Sequence, residues 1–219
     1  MAENPTDVTV IIPCRNESRS IGAVVSAVPG GFGVLVVDNG STDRTDAAAR
    51  DAGARVVTEP EPGYGAAVHT GIVAAGTPIV CTIDGDGSFD PADLTALVGA
   101  VRRGADLAVG RRRPAPGAWP WHARAGSALI ARSLRRRYGI DVHDIAPLRA
   151  ARRDELLQLG IRDRRSGYPV ELLTRAARAR WDVREFDIAY GARTAGRSKV
   201  SGSVRGSAIA AADFLRSAL

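Results

Sequence analysis

A chain of 219 residues with 45% apolar and 25% charged side chains has the composition of an ordinary globular domain with a substantial core. No apolar run approaches the roughly 20 residues that span a bilayer, and the two cysteines lack the partners and spacing of a zinc site or a disulfide scaffold. The net charge of +6 conceals an asymmetry: residues 1–101 carry a net −8, residues 102–165 a net +10 and residues 166–219 a net +4. An acidic half beside a basic half suggests one part that holds a cation and another that receives an anion, although many of the arginines are expected on solvated helix faces.

In chain order, VTVIIP (8–13) reads as a buried strand, followed by a helix over 19–28 that stops at Pro29 and Gly30. VLVVDN (34–39) predicts a second strand, and Ser41 a helix start with Asp43 and Asp46 in its first turns. ARVVTE (54–59) reads as a third strand, residues 64–76 as a Gly/Ala-rich helix and PIVCTID (78–84) as a fourth strand. Pro91 opens the next helix, with Asp90 as its expected N-cap, and ADLAVG (105–110) reads as a fifth strand. Beyond it come a Pro/Gly-rich loop (111–121), a basic helix (122–138), a helix (167–180), a strand (181–190), a loop (191–202) and a short final helix. Strands joined by helical crossovers require a mostly parallel central sheet with helices on both faces. Neither a repeat nor a long linker divides the chain, so one domain is expected over 1–219. Cys14 and Cys81 lie in apolar strands and are expected as reduced, buried thiols.

Ligands of such sheets bind beyond the carboxyl ends of the strands, and polar clusters follow three of them. Asp84-Gly85-Asp86 ends the fourth strand, where a turn at Gly85 lets both carboxylates approach one hard cation, Mg²⁺ or Mn²⁺; an unliganded Asp-Gly turn is the competing reading. Asp38 ends the second strand and can accept hydrogen bonds from a base or a ribose. Pro13-Cys14-Arg15-Asn16-Glu17 adds polar groups at the same edge. Gly63-Tyr64-Gly65 resembles part of a dinucleotide fingerprint but lacks its last glycine, so a small-residue helix packed near the ligand is the better reading. Lys199 is the only lysine among 30 basic residues, and with Arg193 and Arg197 it forms a cationic loop suited to closing over a diphosphate.

Together these segments resemble family 2 glycosyltransferases of the GT-A fold, especially the polyprenyl- (dolichyl-) phosphate sugar synthase branch. The resemblance is carried by VTVIIPCRNESRSI, VLVVDNGSTDRT, EPGYGAAVHTG, TIDGDGSFDP, DLAVGRR, DIAPLRA and YGARTAGRSKVSG, in that order. It implies a nucleotide-sugar-binding half (1–110) and an acceptor-binding half (111–219). Asp38 would contact the base, Pro13, Arg15, Glu17 and Gly65 would border the nucleotide, and Asp84 and Asp86, with Gly85 between them, would hold Mg²⁺ or Mn²⁺ and the donor diphosphate. Arg111, Arg193 and Lys199 would neutralise phosphate oxygens. It further implies an inverting transfer of a hexose from UDP-glucose or GDP-mannose to a polyprenyl phosphate, an acceptor already anionic near neutral pH. Transfer to a soluble hydroxyl acceptor is the alternative; it needs a general base, for which Asp144 and Glu171 are the candidates. A non-catalytic sugar-nucleotide binder is a third reading.

The opening MAENPTDVTV has neither a basic n-region nor an apolar h-region, so a cytoplasmic protein is expected. The amphipathic stretches 122–138 and 203–219 are compatible with a peripheral contact at the inner membrane surface, and the basic face with a homodimer. Nucleic-acid binding is not expected, because the arginines lack interleaved aromatics.

Overall fold

The computed structural model describes residues 6–145 and 147–194. Within them a seven-stranded sheet is ordered β3-β2-β1-β4-β6-β5-β7. Strands β1 (Val8–Cys14), β2 (Gly33–Asp38), β3 (Arg55–Thr58) and β4 (Ile79–Thr82) run parallel. They alternate with helices α1 (Ile21–Ser26), α2 (Thr45–Asp51) and α3 (Tyr64–Ala74).

The apolar runs are continuous because both faces of the sheet are covered. Val8, Val10, Ile12 and Cys14 join one core with Ile21, Val24 and Val25 of α1 and with Leu94, Leu97 and Val101 of α4 (Leu94–Arg102). Ile11, Leu35 and Val37 face a second core, closed by Val68 and Ile72 of α3 and by Leu172, Leu173 and Ala176 of α7 (Tyr168–Arg178). This is the period-two alternation of a strand buried on both sides. Cys14 and Cys81 are buried and form no disulfide, as expected.

The second half departs from the expected rhythm. Strand β5 (Leu107–Pro114) does not end at Gly110 but continues through the three arginines, pairing with β7 (Val183–Tyr190) as far as Pro114↔Tyr190. Between β4 and β5 lies β6 (Arg149–Arg152), antiparallel to both neighbours and followed at once by α6 (Arg153–Gln158). Its centre is Ala150-Ala151, each side chain buried in one core; small side chains with little strand preference are selected there by burial. Asp90 caps the short 3₁₀ turn Pro91–Asp93 through the Ala92 amide. Helix α2 begins at Thr45 rather than Ser41, because Ser41 and Thr42 are engaged by Asn16 in the preceding loop. The helix predicted over 203–219 lies outside the described residues.

Gly71 lets α3 rest directly on the sheet: a Cβ there would lie 2.3 Å from Ile11 Cγ2 and 3.1 Å from Val37 Cγ2. Gly71→Ala should therefore lower stability by roughly 1–3 kcal/mol through overpacking, more than offsetting the gain of about 1 kcal/mol in helix propensity. A urea midpoint that moves down at unchanged slope is the expected result; a raised midpoint would mean that the contact relaxes freely.

Candidate active site

Because β1, β2 and β4 are parallel neighbours, their carboxyl ends deliver residues 14–20, 38–45 and 83–88 to one edge. Side chain-to-backbone bonds fix these loops to one another. Asn16, at φ 54°, donates its amide to Ser41 Oγ at 2.9 Å and accepts from the Thr42 amide at 2.7 Å. The Glu17 amide donates to Thr45 Oγ1 at 2.8 Å, and Ser18 to Asp43 Oδ2 at 3.2 Å. Asn39 donates to the Glu59 and Glu61 carbonyls at 2.9 and 2.7 Å and accepts from the Gly63 amide at 2.8 Å. Asp38, half-buried, accepts from the Ser41 amide at 3.1 Å. The expected nucleoside edge is thus a single braced rim.

At its centre is the Asp84-Gly85-Asp86 turn. Gly85 is required there, since a Cβ would meet Cys14 Sγ at 2.5 Å and Glu17 Oε2 at 2.6 Å, and its carbonyl accepts from Ser20 Oγ at 2.8 Å. Asp86, 2% exposed, receives the Ser88 amide and hydroxyl on Oδ1 at 2.9 and 2.6 Å. Its Oδ2 lies 3.0 Å from an Nη of Arg193. Burial, together with the charges of Asp86 and Glu17, pushes the Asp84 carboxyl up to about 7, against the opposing charges of Arg193 and Arg112.

A cationic wall faces this pair. Residues 191–194 return over the turn, with the Gly191 amide on the Ser88 carbonyl and the Thr194 amide on the Asp86 carbonyl. Gly87, at φ 75°, has no room for a side chain beneath Thr194. Arg112 lies flat on Trp119, 3.8 Å from the ring centroid, and is held by Asp144 through Nε and Nη at 2.7 Å each. Trp119 in turn packs edge-on against Tyr190.

Several expectations need correction. Strand alternation sends Arg112, not Arg111, toward Asp84; Arg111 shares the opposite face with Asp187. Asp144 is buried, and although burial would raise its pKa, Arg112 and Ser127 hold it below the usual range. Glu171 likewise is lowered despite burial, by the Arg162 and Asp163 amides and by Arg175. Each carboxylate is saturated with donors and weakened as a base, so neither fits the general-base role. Gly65 packs against protein backbone: its amide donates to the Arg165 carbonyl and that of Ala66 to the Arg164 carbonyl. These bonds consume the amides a dinucleotide phosphate would need, and a Cβ on Gly65 would meet Asp163 O at 2.5 Å. Lys199 and Arg197 lie outside the described residues. The sequence alone assigns no role to Ser20, Ser88, Asn39 or Arg112; period-two continuation of β5 through 111–114 is the available signal for Arg112.

The donor set fits a hard divalent cation. No cluster of three His, Cys, Asp or Glu side chains occurs among the described residues, so Asp84 and Asp86 would leave coordination positions to substrate oxygens, as Mg²⁺ and Mn²⁺ sites do. The raised Asp84 and the Arg193 guanidinium against Asp86 both mark a place where negative charge calls for a cation.

Residues 9–160 match the family model described as Glycosyl transferase family 2. An uncharacterized glycosyltransferase of Mycobacterium tuberculosis is 59% identical over 208 residues, spanning 94% of this chain and 95% of that protein. The polyprenol monophosphomannose synthase of Mycolicibacterium smegmatis is 34% identical, over 91% of this chain and 83% of its own length. Among solved structures, glucosyl-3-phosphoglycerate synthase from M. tuberculosis, in complex with Mn²⁺, UDP and glucosyl-3-phosphoglycerate, superposes with a TM-score of 0.77 at 24% identity. That match covers 96% of this chain and 79% of that one.

A proton and a divalent cation would compete for Asp84. Mn²⁺ affinity, followed by calorimetry, should fall as the pH drops through about 7, whereas a flat profile from pH 5.5 to 8.5 would remove Asp84 from the cation site. The raised pKa also means that the metal-free fold loses stability as pH rises from the unfolded value through about 7. Asp84→Asn should therefore melt above wild type at pH 8, with the gap closing at pH 5.

Proposed function

The chain belongs to glycosyltransferase family 2 and has its GT-A fold, and on that premise we propose that it transfers a hexose, with inversion, from UDP-glucose or GDP-mannose to a polyprenyl-phosphate acceptor. The observation that carries the reading is the desolvated Asp84/Asp86 pair faced by Arg193 and Arg112 at the carboxyl edge of the sheet. In it Asp38 accepts from the base or ribose, and Pro13, Arg15 and Glu17 border the nucleoside. Asp84 and Asp86 hold Mg²⁺ or Mn²⁺, which when bound would stabilise the leaving diphosphate. Arg193 adds a fixed positive charge as the anomeric bond breaks.

The state of the other carboxylates bears on the acceptor. A hydroxyl must lose its proton during attack, and Asp144 and Glu171 are both tied into ion pairs and lowered in pKa. A phosphomonoester, with a second pKa of about 6, needs no such base. The mycolicibacterial polyprenol monophosphomannose synthase supports the same acceptor class. The second reading, a soluble hydroxyl acceptor such as a phosphorylated small metabolite, draws on the neighbouring glucosyl-3-phosphoglycerate synthase structure.

Incubation with radiolabelled UDP-glucose or GDP-mannose, Mn²⁺ and a detergent-solubilised polyprenyl phosphate should send label into the organic phase. Label appearing only in a water-soluble product, with phosphoglyceric acid as acceptor, would select the second reading. Label transferred to neither would reject both. Arg193→Ala should reduce kcat on the order of 10²-fold, by analogy with losing one donor to a developing oxyanion, while the fold is retained; unchanged kcat would remove Arg193 from catalysis.

A further inference from the structure

Helix α5 (Trp121–Tyr138) presents an outer face that no part of the described chain covers. Its inner face, Ser127, Ala131 and Leu134, is buried, with Leu134 packed in the core that α7 closes. On the outside, Trp121 is 80% and Leu129 69% exposed, while the third exposed large apolar residue among the described ones, Val73, lies on α3. Trp121, Ala125 and Leu129 recur every four residues and make one apolar stripe, which Arg132 and Arg136 continue at the same helical angle. Beside Leu129 a shallow groove of about 410 Å³ is bordered by Arg132, Ser133, Arg136 and Arg137. The helix holds five arginines and no acidic side chain. Arg124, Arg132 and Arg136 are exposed and have no carboxylate partner among the described residues.

We infer that this face of α5 docks on an anionic phospholipid bilayer. Arginines flanking exposed Trp and Leu on one helix face match that partner in both respects, since headgroups supply negative charge and the acyl boundary takes the apolar stripe. A second copy of the chain fits poorly, because α5 carries no carboxylate to receive its mate's arginines. Nucleic acid would leave the Trp121–Leu129 stripe without a partner. The position is consistent with the site: Trp119, which stacks on Arg112, lies two residues before Trp121, so docking would bring the rim of the candidate active site to the membrane surface. The docking itself does not depend on the proposed donor or acceptor.

The test is sedimentation of the full chain with phosphatidylcholine vesicles, with and without about 30% phosphatidylglycerol, in the absence of donor, at low salt and at 0.5 M NaCl. Binding to the anionic vesicles alone, weakened by salt, is expected. It should fall roughly tenfold or more in R132E/R136E, since each arginine near an anionic surface contributes close to a factor of five, and similarly in W121S/L129S. Thermal unfolding should be unchanged in both variants because neither touches the buried face of α5. Absence of binding by wild type, or equal binding by the variants, would overturn the docking face. So would light scattering that shows dimers broken by W121S/L129S, or duplex DNA that displaces the vesicles and is lost in R132E/R136E alone. Calorimetric titration of the variants with UDP-glucose and GDP-mannose reports on the donor site separately, so failure of the docking face and failure of the transferase reading are told apart.

Discussion

A buried carboxylate, Asp86, set beside a half-buried one, Asp84, is the constraint on which the rest of this structure turns. Like charges this close repel, and burial has stripped Asp86 and part of Asp84 of the water that would have stabilised them. Asp86 meets this with two donors from Ser88 on one oxygen and a guanidinium on the other. Asp84 meets it by holding its proton up to about 7. A sequence selected only for stability would not keep such a pair. Such a pair at the end of a central parallel strand is the arrangement that a site for positive charge from outside would need.

The surrounding architecture follows from keeping that pair close and rigid. Gly85 has Cys14 and Glu17 where its side chain would be, so the β1 loop presses directly on the β4 turn. The thiol of Cys14 serves there as a small apolar filler. The same loop is then tied to the next by Asn16, Glu17 and Ser18, and the next to the third by Asn39. These are mostly bonds between side chains and backbone amides, which suit loops that must hold one shape without a sheet to order them. Rigid loops on a rigid edge are what place reacting groups accurately.

The first half was legible because its physics is local. Continuous β-branched runs announced β1, β2 and β4, and the polar residues behind each marked the functional edge. What escaped was decided by distant contacts. Nothing in Arg149-Ala150-Ala151-Arg152 favours a strand; it becomes one because only small side chains fit between β4 and β5 with helices on both faces. Arg111 and Arg112 differ by one residue, and which of them reaches Asp84 depends on β5 extending along β7. Ser41 resembled a helix cap until the Asn16 loop, 25 residues away, claimed its hydroxyl. Asp144 and Glu171 were identifiable as carboxylates among arginines, but the number of donors around each could be known only from the fold.

The charge asymmetry of the chain then takes on a mechanical meaning. The acidic half contributes Glu17, Asp84 and Asp86; the basic half returns Arg112 and Arg193 to face them, one through strand β5 and one through the segment after β7. Aspartate and glutamate of the basic half, by contrast, are spent on their own arginines: Asp144 on Arg112, Glu171 on Arg175. A guanidinium held by a carboxylate and stacked on an indole is fixed in direction, so Arg112 offers its charge to the cleft without the freedom to follow a ligand away. Asp144, which looked like a catalytic base, thus has its effect one step removed, by aiming Arg112, and a cleft so furnished is better suited to receiving an anion than to extracting a proton.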